Sequence, residues 1–117
     1  MESLKKNRDF QNVYKSGKSY ANKRLVMYVL KNNSEKNRIG ISVSKKVGNS
    51  VIRHRLTRLI RESYRLHEDM FCSGFDIVVI VRATAKSATY HEIESALLYI
   101  AGYLKILKSI RKEDEVD

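Results

Sequence analysis

At 117 residues with 43% apolar side chains, the chain is sized for one domain that buries roughly two-thirds of its unfolded surface. Twenty-three Lys and Arg against 13 Asp and Glu leave a net charge of +10, an excess that implies a polyanionic partner, either nucleic acid or an anionic membrane. No apolar run approaches the ~20 residues of a membrane span, no apolar stretch follows the start as a secretory signal would, and the single Cys72 cannot form an internal disulfide. Secreted, membrane-spanning and disulfide-stapled classes are therefore not expected, and a reducing, cytoplasmic setting is.

The first predicted element is a short helix from Asn7 to Ser16, with Asn7 as its cap, Asp9 in its first turn and Gly17 stopping it. Phe10, Val13 and Tyr14 share one of its faces. A short extra strand fits near Lys18 to Ala21. Leu25 to Leu30 is β-favouring on both faces, with Tyr28 alternating with Met27 and Val29. Arg38 to Ser44 alternates, Ile39, Ile41 and Val43 against Arg38, Gly40, Ser42 and Ser44. The polar turn Asn32 to Asn37 predicts a hairpin joining these two strands. The small face at Gly40, Ser42 and Ser44 leaves room for something to lie against the sheet.

A long helix is predicted from Ser50 to Glu68, capped by Asn49 or Ser50. Asp76 to Arg82 reads as a central strand, because it is apolar on both faces. Thr89 and Glu92 match a capping box that opens a last helix with Ile93, Leu97, Ile100, Leu104 and Leu107 as its core stripe. Without proline, repeats or low complexity, the chain reads as a single domain over residues 1–112, followed by an acidic, disordered tail at 113–117. The order α-β-β-α-β-α, with the extra strand, makes the class α+β: a small mixed sheet packed by helices.

Charge concentrates between Lys45 and Arg65, where seven Lys or Arg face one acid, Glu62. On a helical wheel Ile52, Leu56, Leu59, Ile60, Ser63 and Leu66 gather on one side, while Arg53, Arg55, Arg58, Arg61 and Arg65 spread over the other. A solvated helix face normally mixes signs, since like charges three or four residues apart cost a few tenths of a kcal/mol per pair. Arg rather than Lys also suits forked contacts to phosphate. The loop Lys45-Lys46-Val47-Gly48-Asn49 enters the helix N-terminus, where free N–H groups favour anions. The apolar face is needed to cover the sheet, and there is no Trp and no lipidation motif, so a nucleic acid is favoured over a membrane.

Protein catalysis has little support. His54, His67 and His91 lack partners at metal-ligand spacing, and Cys72 beside Phe71 reads as a small apolar residue. Gly17-Lys18-Ser19 resembles the end of a P-loop, but Asn12 stands where that motif needs glycine. The acids are scattered rather than clustered for metal ions. Phe10, Tyr14 and Tyr28 could border the small face of the sheet as a stacking platform for unpaired bases, or could be ordinary core; spacing alone leaves both open.

Ile41 to Arg61, ISVSKKVGNSVIRHRLTRLIR, resembles the signature of the bacterial ribonuclease P protein subunit. So do Leu4 to Phe10 with Val13, Tyr14 and Gly17, the pair Ala21-Asn22, and the strand Asp76 to Ala83. The resemblance covers roughly residues 4 to 108 in the expected order. It implies an accessory subunit that partners a catalytic RNA and promotes endonucleolytic removal of 5′ leaders from precursor tRNAs. Catalysis is then expected in the RNA, with its Mg²⁺, and neither a protein catalytic residue, a protein-bound metal or cofactor, nor a protein partner is required. By the same resemblance Lys45, Lys46, Asn49, Arg53, His54, Arg55, Arg58, Arg61 and Arg65 face the catalytic RNA. Phe10, Tyr14, Tyr28, Arg38, Ser42 and Ser44 form a cleft for the single-stranded leader. The implied fold is like a domain of a small-subunit ribosomal protein, with a left-handed strand–helix–strand crossover against the usual rule. His54 and Thr57 depart from the family's usual Asn and Lys: Thr57 removes one cation, and His54 can still donate to phosphate, but a metal or polar role attached to that Asn is not carried over. The alternative is a general RNA-binding, ribosome-associated module; a protein-only nuclease is disfavoured by the scattered carboxylates.

Overall fold

A computed structural model describes residues 1–108; the acidic tail, and the last four residues of the domain expected over 1–112, lie outside the described residues. The elements are β1 (Glu2–Ser3), α1 (Asn7–Ser16), β2 (Lys18–Ala21), β3 (Leu25–Lys31), β4 (Arg38–Ser42), α2 (Ser50–Leu66), β5 (Phe75–Val81) and α3 (Tyr90–Tyr103), with 3-10 turns at Glu68–Met70 and Ala83–Ala85. The α+β class and the extra strand at Lys18–Ala21 are as expected.

The five strands form one mixed sheet in the order β1-β4-β5-β3-β2. β5 is central, as its apolar run Ile77 to Val81 predicts: it pairs antiparallel with β3 and parallel with β4. The expected hairpin between β3 and β4 does not form. Asn32 to Asn37 is a turn, but it carries the chain past β5, which enters later and separates the two strands. Asn37 holds that gap open by pairing with the far segment, donating to the Cys72 carbonyl at 2.8 Å and accepting from the Phe75 N–H at 2.8 Å. The tight hairpin is instead β2–β3. β1, only two residues long, adds a parallel edge beside β4 and is too short to show in the sequence pattern.

Several boundaries shift for local reasons. β4 ends at Ser42, and Ser44 enters a turn in which its carbonyl accepts from Val47 N–H at 3.1 Å. α2 stops at Leu66 rather than Glu68, where His67 N–H turns back to the Tyr64 carbonyl. Leu66 is 53% exposed and Tyr64 is buried in its place, so the apolar stripe ends one turn earlier than the wheel implies. Leu107 lies past the end of α3 and bridges to Phe71. Asn7 does not cap α1; Lys6 occupies the cap position with no side-chain bond. Asn49 does cap α2, and Thr89 with Glu92 forms the expected capping box.

Alternation along the strands sends two sets of side chains to opposite faces. Leu25, Met27, Val29, Ile39, Ile77, Val79 and Val81 build the main core with Leu56, Ile60 and Tyr64 of α2 and Ile93, Leu97 and Ile100 of α3. The other face carries α1, where Val13, Leu4 and Val78 form a smaller core. Gly17 ends α1 because the chain turns tightly onto β3: a Cβ there would lie 2.6 Å from the Val13 carbonyl oxygen and 2.7 Å from that of Val29. α1 and α2 therefore lie on opposite sides of one sheet.

Candidate nucleic-acid interface

On the α2 side, buried Val47 anchors the turn that follows β4, leaving Lys45 and Lys46 exposed. Asn49 Oδ1 accepts from Ile52 N–H at 3.0 Å, fixing the helix start directly behind these lysines. The five arginines have different surroundings. Arg55 donates to the Ala88 carbonyl at 2.7 Å and ties α2 to the segment entering α3. Arg65 pairs with Glu62 at 2.5 Å, and this hydrogen bond holds the Glu62 carboxyl below its usual range. Arg53 is half-buried, its Nε shielded from water with no partner among the described residues. Arg58 and Arg61 are exposed and make no ion pair among the described residues. The cations of this face that are open to a ligand are therefore Lys45, Lys46, Arg58 and Arg61.

Thr57, in place of a cation, donates its hydroxyl to the Arg53 carbonyl at 2.9 Å and turns back onto its own helix. His54 is exposed. Beside it, Val51 is 74% exposed and joins His54, Arg55 and Arg58 along a shallow groove of about 480 Å³. Val51 is a candidate that sequence reasoning misses; its signal is an apolar side chain off the helix's apolar stripe and next to cations.

On the α1 side the strand register sets out rows of side chains. Gly40, Val78 and Tyr28 form one row, and Ser42, Ile80, Val26 and Ala21 the next. Phe10 covers the first row: a Cβ on Gly40 would sit 2.5 Å from its Cζ. The room expected at Gly40 is thus occupied by a ring from α1. Tyr14 meets Tyr28 edge-on with centroids 5.1 Å apart, and Phe10 lies 6.5 Å from Tyr14. Val13 takes the core position of α1, whereas Phe10 and Tyr14 remain half-exposed. Burial pushes the Tyr14 phenol up, against the opposing effect of its hydrogen bond with Ser42, so it is a neutral donor at physiological pH.

The second row is the open strip beside these rings. Its floor of half-buried Ser42, Ile80 and Val26, with exposed Arg82 just past the end of β5 and donating to the Asn22 carbonyl at 2.7 Å, includes three positions that sequence reasoning does not select. Their signal is the outward half of two strands whose inward half is assigned to the core. Ser44 sits outside the strip, in the turn that leads to α2. Arg38 is not a free cation: its Nε and one Nη hold Asp76 at 2.8 and 2.6 Å, and the other Nη lies 3.5 Å from Asp9. It braces α1 against the sheet. Among the described residues, no three His, Cys, Asp or Glu side chains gather as a metal site, and no helix is long and apolar enough to cross a membrane.

The profile of the Ribonuclease P family matches residues 1–105. The ribonuclease P protein component of Lachnoclostridium phytofermentans is 61% identical over 108 residues, covering 92% of this chain and 93% of its own. That of Alkaliphilus metalliredigens is 55% identical over 104 residues, covering 89% and 94%. Among solved structures, the RNase P protein of Staphylococcus aureus superposes with a TM-score of 0.86 at 39% identity, covering 92% of this chain and 99% of that one. The RNase P protein from Thermotoga maritima gives 0.78 at 34% identity, covering 85% and 94%.

Proposed function

The chain belongs to the ribonuclease P protein family, and from that membership we propose that it bridges two RNAs with the two faces of one sheet. As a ribonuclease P protein it is the accessory subunit of an RNA-processing endoribonuclease. The observation that carries the bridging proposal is the placement of α2 and α1 on opposite sides of β4 and β5, with the short cationic turn after Ser42 leading from β4 into α2.

In this proposal Lys45, Lys46, Arg58 and Arg61, with the Asn49-capped start of α2, hold phosphates of the catalytic RNA by counterion release. His54 adds a donor at their edge, Arg53 and Arg55 shape the helix face, and Arg65 contributes only when Glu62 releases it. The strip beside Phe10, Tyr14 and Tyr28 takes the single-stranded 5′ leader of precursor tRNA. There the rings offer stacking faces, Ser42 and the Tyr14 phenol offer hydrogen bonds, and Arg82 offers charge. In this reading the protein supplies binding and charge screening, and Mg²⁺ and the hydrolytic step are left to the RNA.

Leader cleavage of a precursor tRNA at low Mg²⁺ tests this, comparing protein alone, catalytic RNA alone and the two together. Activity restored only by the pair supports the reading. Cleavage by the protein alone, or no stimulation of the RNA, contradicts it.

A further inference from the structure

A cluster of three tyrosines, Tyr20, Tyr99 and Tyr103, lies outside both surfaces. Tyr20 of β2 points to the α2–α3 face, because it pairs in register with Met27, a residue of the main core. Tyr103 stacks on it at 3.7 Å between centroids and 18° between planes, and Tyr99 lies 6.5 Å away. Tyr99 and Tyr103 are 62% and 58% exposed, an unusual display of aromatic surface at the free edge of a sheet. Cations frame the cluster. Tyr99 shares a cavity of about 510 Å³ with Lys23, and immediately after Tyr103 a groove of about 440 Å³ is lined by Lys18, Lys31 and Lys105 over Phe75 and Leu104. None of these lysines makes an ion pair among the described residues, and the carboxylate that lines the Lys23 cavity, Glu92, is held by Arg24 at 2.6 Å.

The open strip on the α1 side leads to this place. Its row runs from Ser42 through Ile80 and Val26 to Ala21 on β2, three strand spacings or about 14 Å. Ala21 is exposed at the sheet edge, and the next residue back is Tyr20, whose ring lies on the other side of that edge. A strand following the row leaves the sheet beside the tyrosines. We propose that Tyr20, Tyr99 and Tyr103 form a second stacking platform for the upstream part of the leader, reached by wrapping around the β2 edge. The proposal rests on the leader-strip reading above. Exposed rings interleaved with unpaired lysines are what unpaired nucleic acid recognises. A second copy of this chain, itself carrying +10, is the less complementary occupant.

The test is the affinity of reconstituted holoenzyme for precursor tRNAs whose leaders are shortened one nucleotide at a time, with wild-type protein, the Tyr99→Ala/Tyr103→Ala double variant and the corresponding Phe variant. Both side chains are exposed, so the fold should survive truncation, which circular dichroism checks. The proposal expects the Ala variant to bind long-leader precursors roughly 5- to 100-fold more weakly, to match wild type once the leader is too short to pass Ala21, and the Phe variant to keep wild-type affinity. An equal loss at every length would place the effect on the catalytic RNA and overturn the proposal, as would no loss at any length. So would a wild-type dimer that the Ala variant abolishes without any leader-length effect. If wild-type affinity itself ignores the leader, the underlying strip reading fails instead.

Discussion

The ring of Phe10 lies where a side chain on Gly40 would have to be, 2.5 Å from the position its Cβ would take. Helix α1 is seated on the sheet through this contact, and the tyrosines of the strip are placed with it. Gly40→Ala should therefore push Phe10 out, lower stability by about 1–3 kcal/mol as overpacking does, and weaken precursor binding more than mature tRNA binding. Urea denaturation and the two affinities check this; unchanged stability would mean that α1 is not seated through Phe10.

Arg38 and Asp76 make a forked ion pair beneath α1, with Asn32 donating to the same carboxylate at 2.9 Å. Burial alone would push the Asp76 carboxyl up; Arg38 and then Asn32 outweigh it and hold the group below its usual value. A depressed carboxylate contributes stability that is complete above the unfolded pKa, about 3.9, and is lost as pH falls through the folded value. Stability should be flat near neutrality on this account and fall below about pH 4. Arg38→Ala should cost about 2–3 kcal/mol at pH 7, because Asp76 is buried while Arg38 is a third open to water, and should flatten the acid fall. Urea titrations from neutral to acid pH measure both.

The arginines of α2 should separate by role. Replacing Arg58 and Arg61 together by Ala should reduce the salt slope of catalytic-RNA binding by about 0.7–0.9 for each phosphate no longer neutralised, and leave stability within a few tenths of a kcal/mol. Arg55→Ala should instead lower stability by about 1 kcal/mol, since its bond to the Ala88 carbonyl ties α2 to the segment entering α3. A salt slope untouched by the double change would remove Arg58 and Arg61 from the interface.

Lys105 follows α3 with φ at +63°, the left-handed position that glycine usually fills, and Ile106 N–H closes the turn onto the Ala101 carbonyl at 3.1 Å. Lys105→Gly should raise stability by about 1 kcal/mol, or about 4 °C in Tm for a domain this size. Calorimetry reads it directly, and a lower Tm would contradict the assignment of strain.

What is legible in the chain is local. The α2 cap at Asn49, the Thr89–Glu92 box and the central character of Asp76 to Val81 follow from spacing within a few residues of each other. Strand alternation tells which way Ile39 and Ile41 point but not which strand lies beside them, and a polar turn at Asn32 to Asn37 looks the same whether it closes a hairpin or spans an inserted strand. The charge of α2 is equally plain, and so is the i,i+3 pairing of Glu62 with Arg65, yet that Arg55 is held depends on Ala88 reaching it in space. Arg38 shows the limit best: its position on a polar face suggests a ligand, and only the register that sets it opposite Asp76 reveals a brace.

The central claim is that one sheet presents two independent RNA surfaces. It is tested most directly by measuring holoenzyme affinity for precursor and mature tRNA in two variants, Tyr14→Ala and Arg58→Ala/Arg61→Ala. The account predicts that Tyr14→Ala weakens precursor binding by about 1–3 kcal/mol while sparing mature tRNA, and that the arginine pair weakens assembly with the catalytic RNA without changing the precursor-to-mature ratio once the holoenzyme is saturated. Equal losses for both tRNAs with Tyr14→Ala, or a changed ratio with the arginine pair, would contradict it.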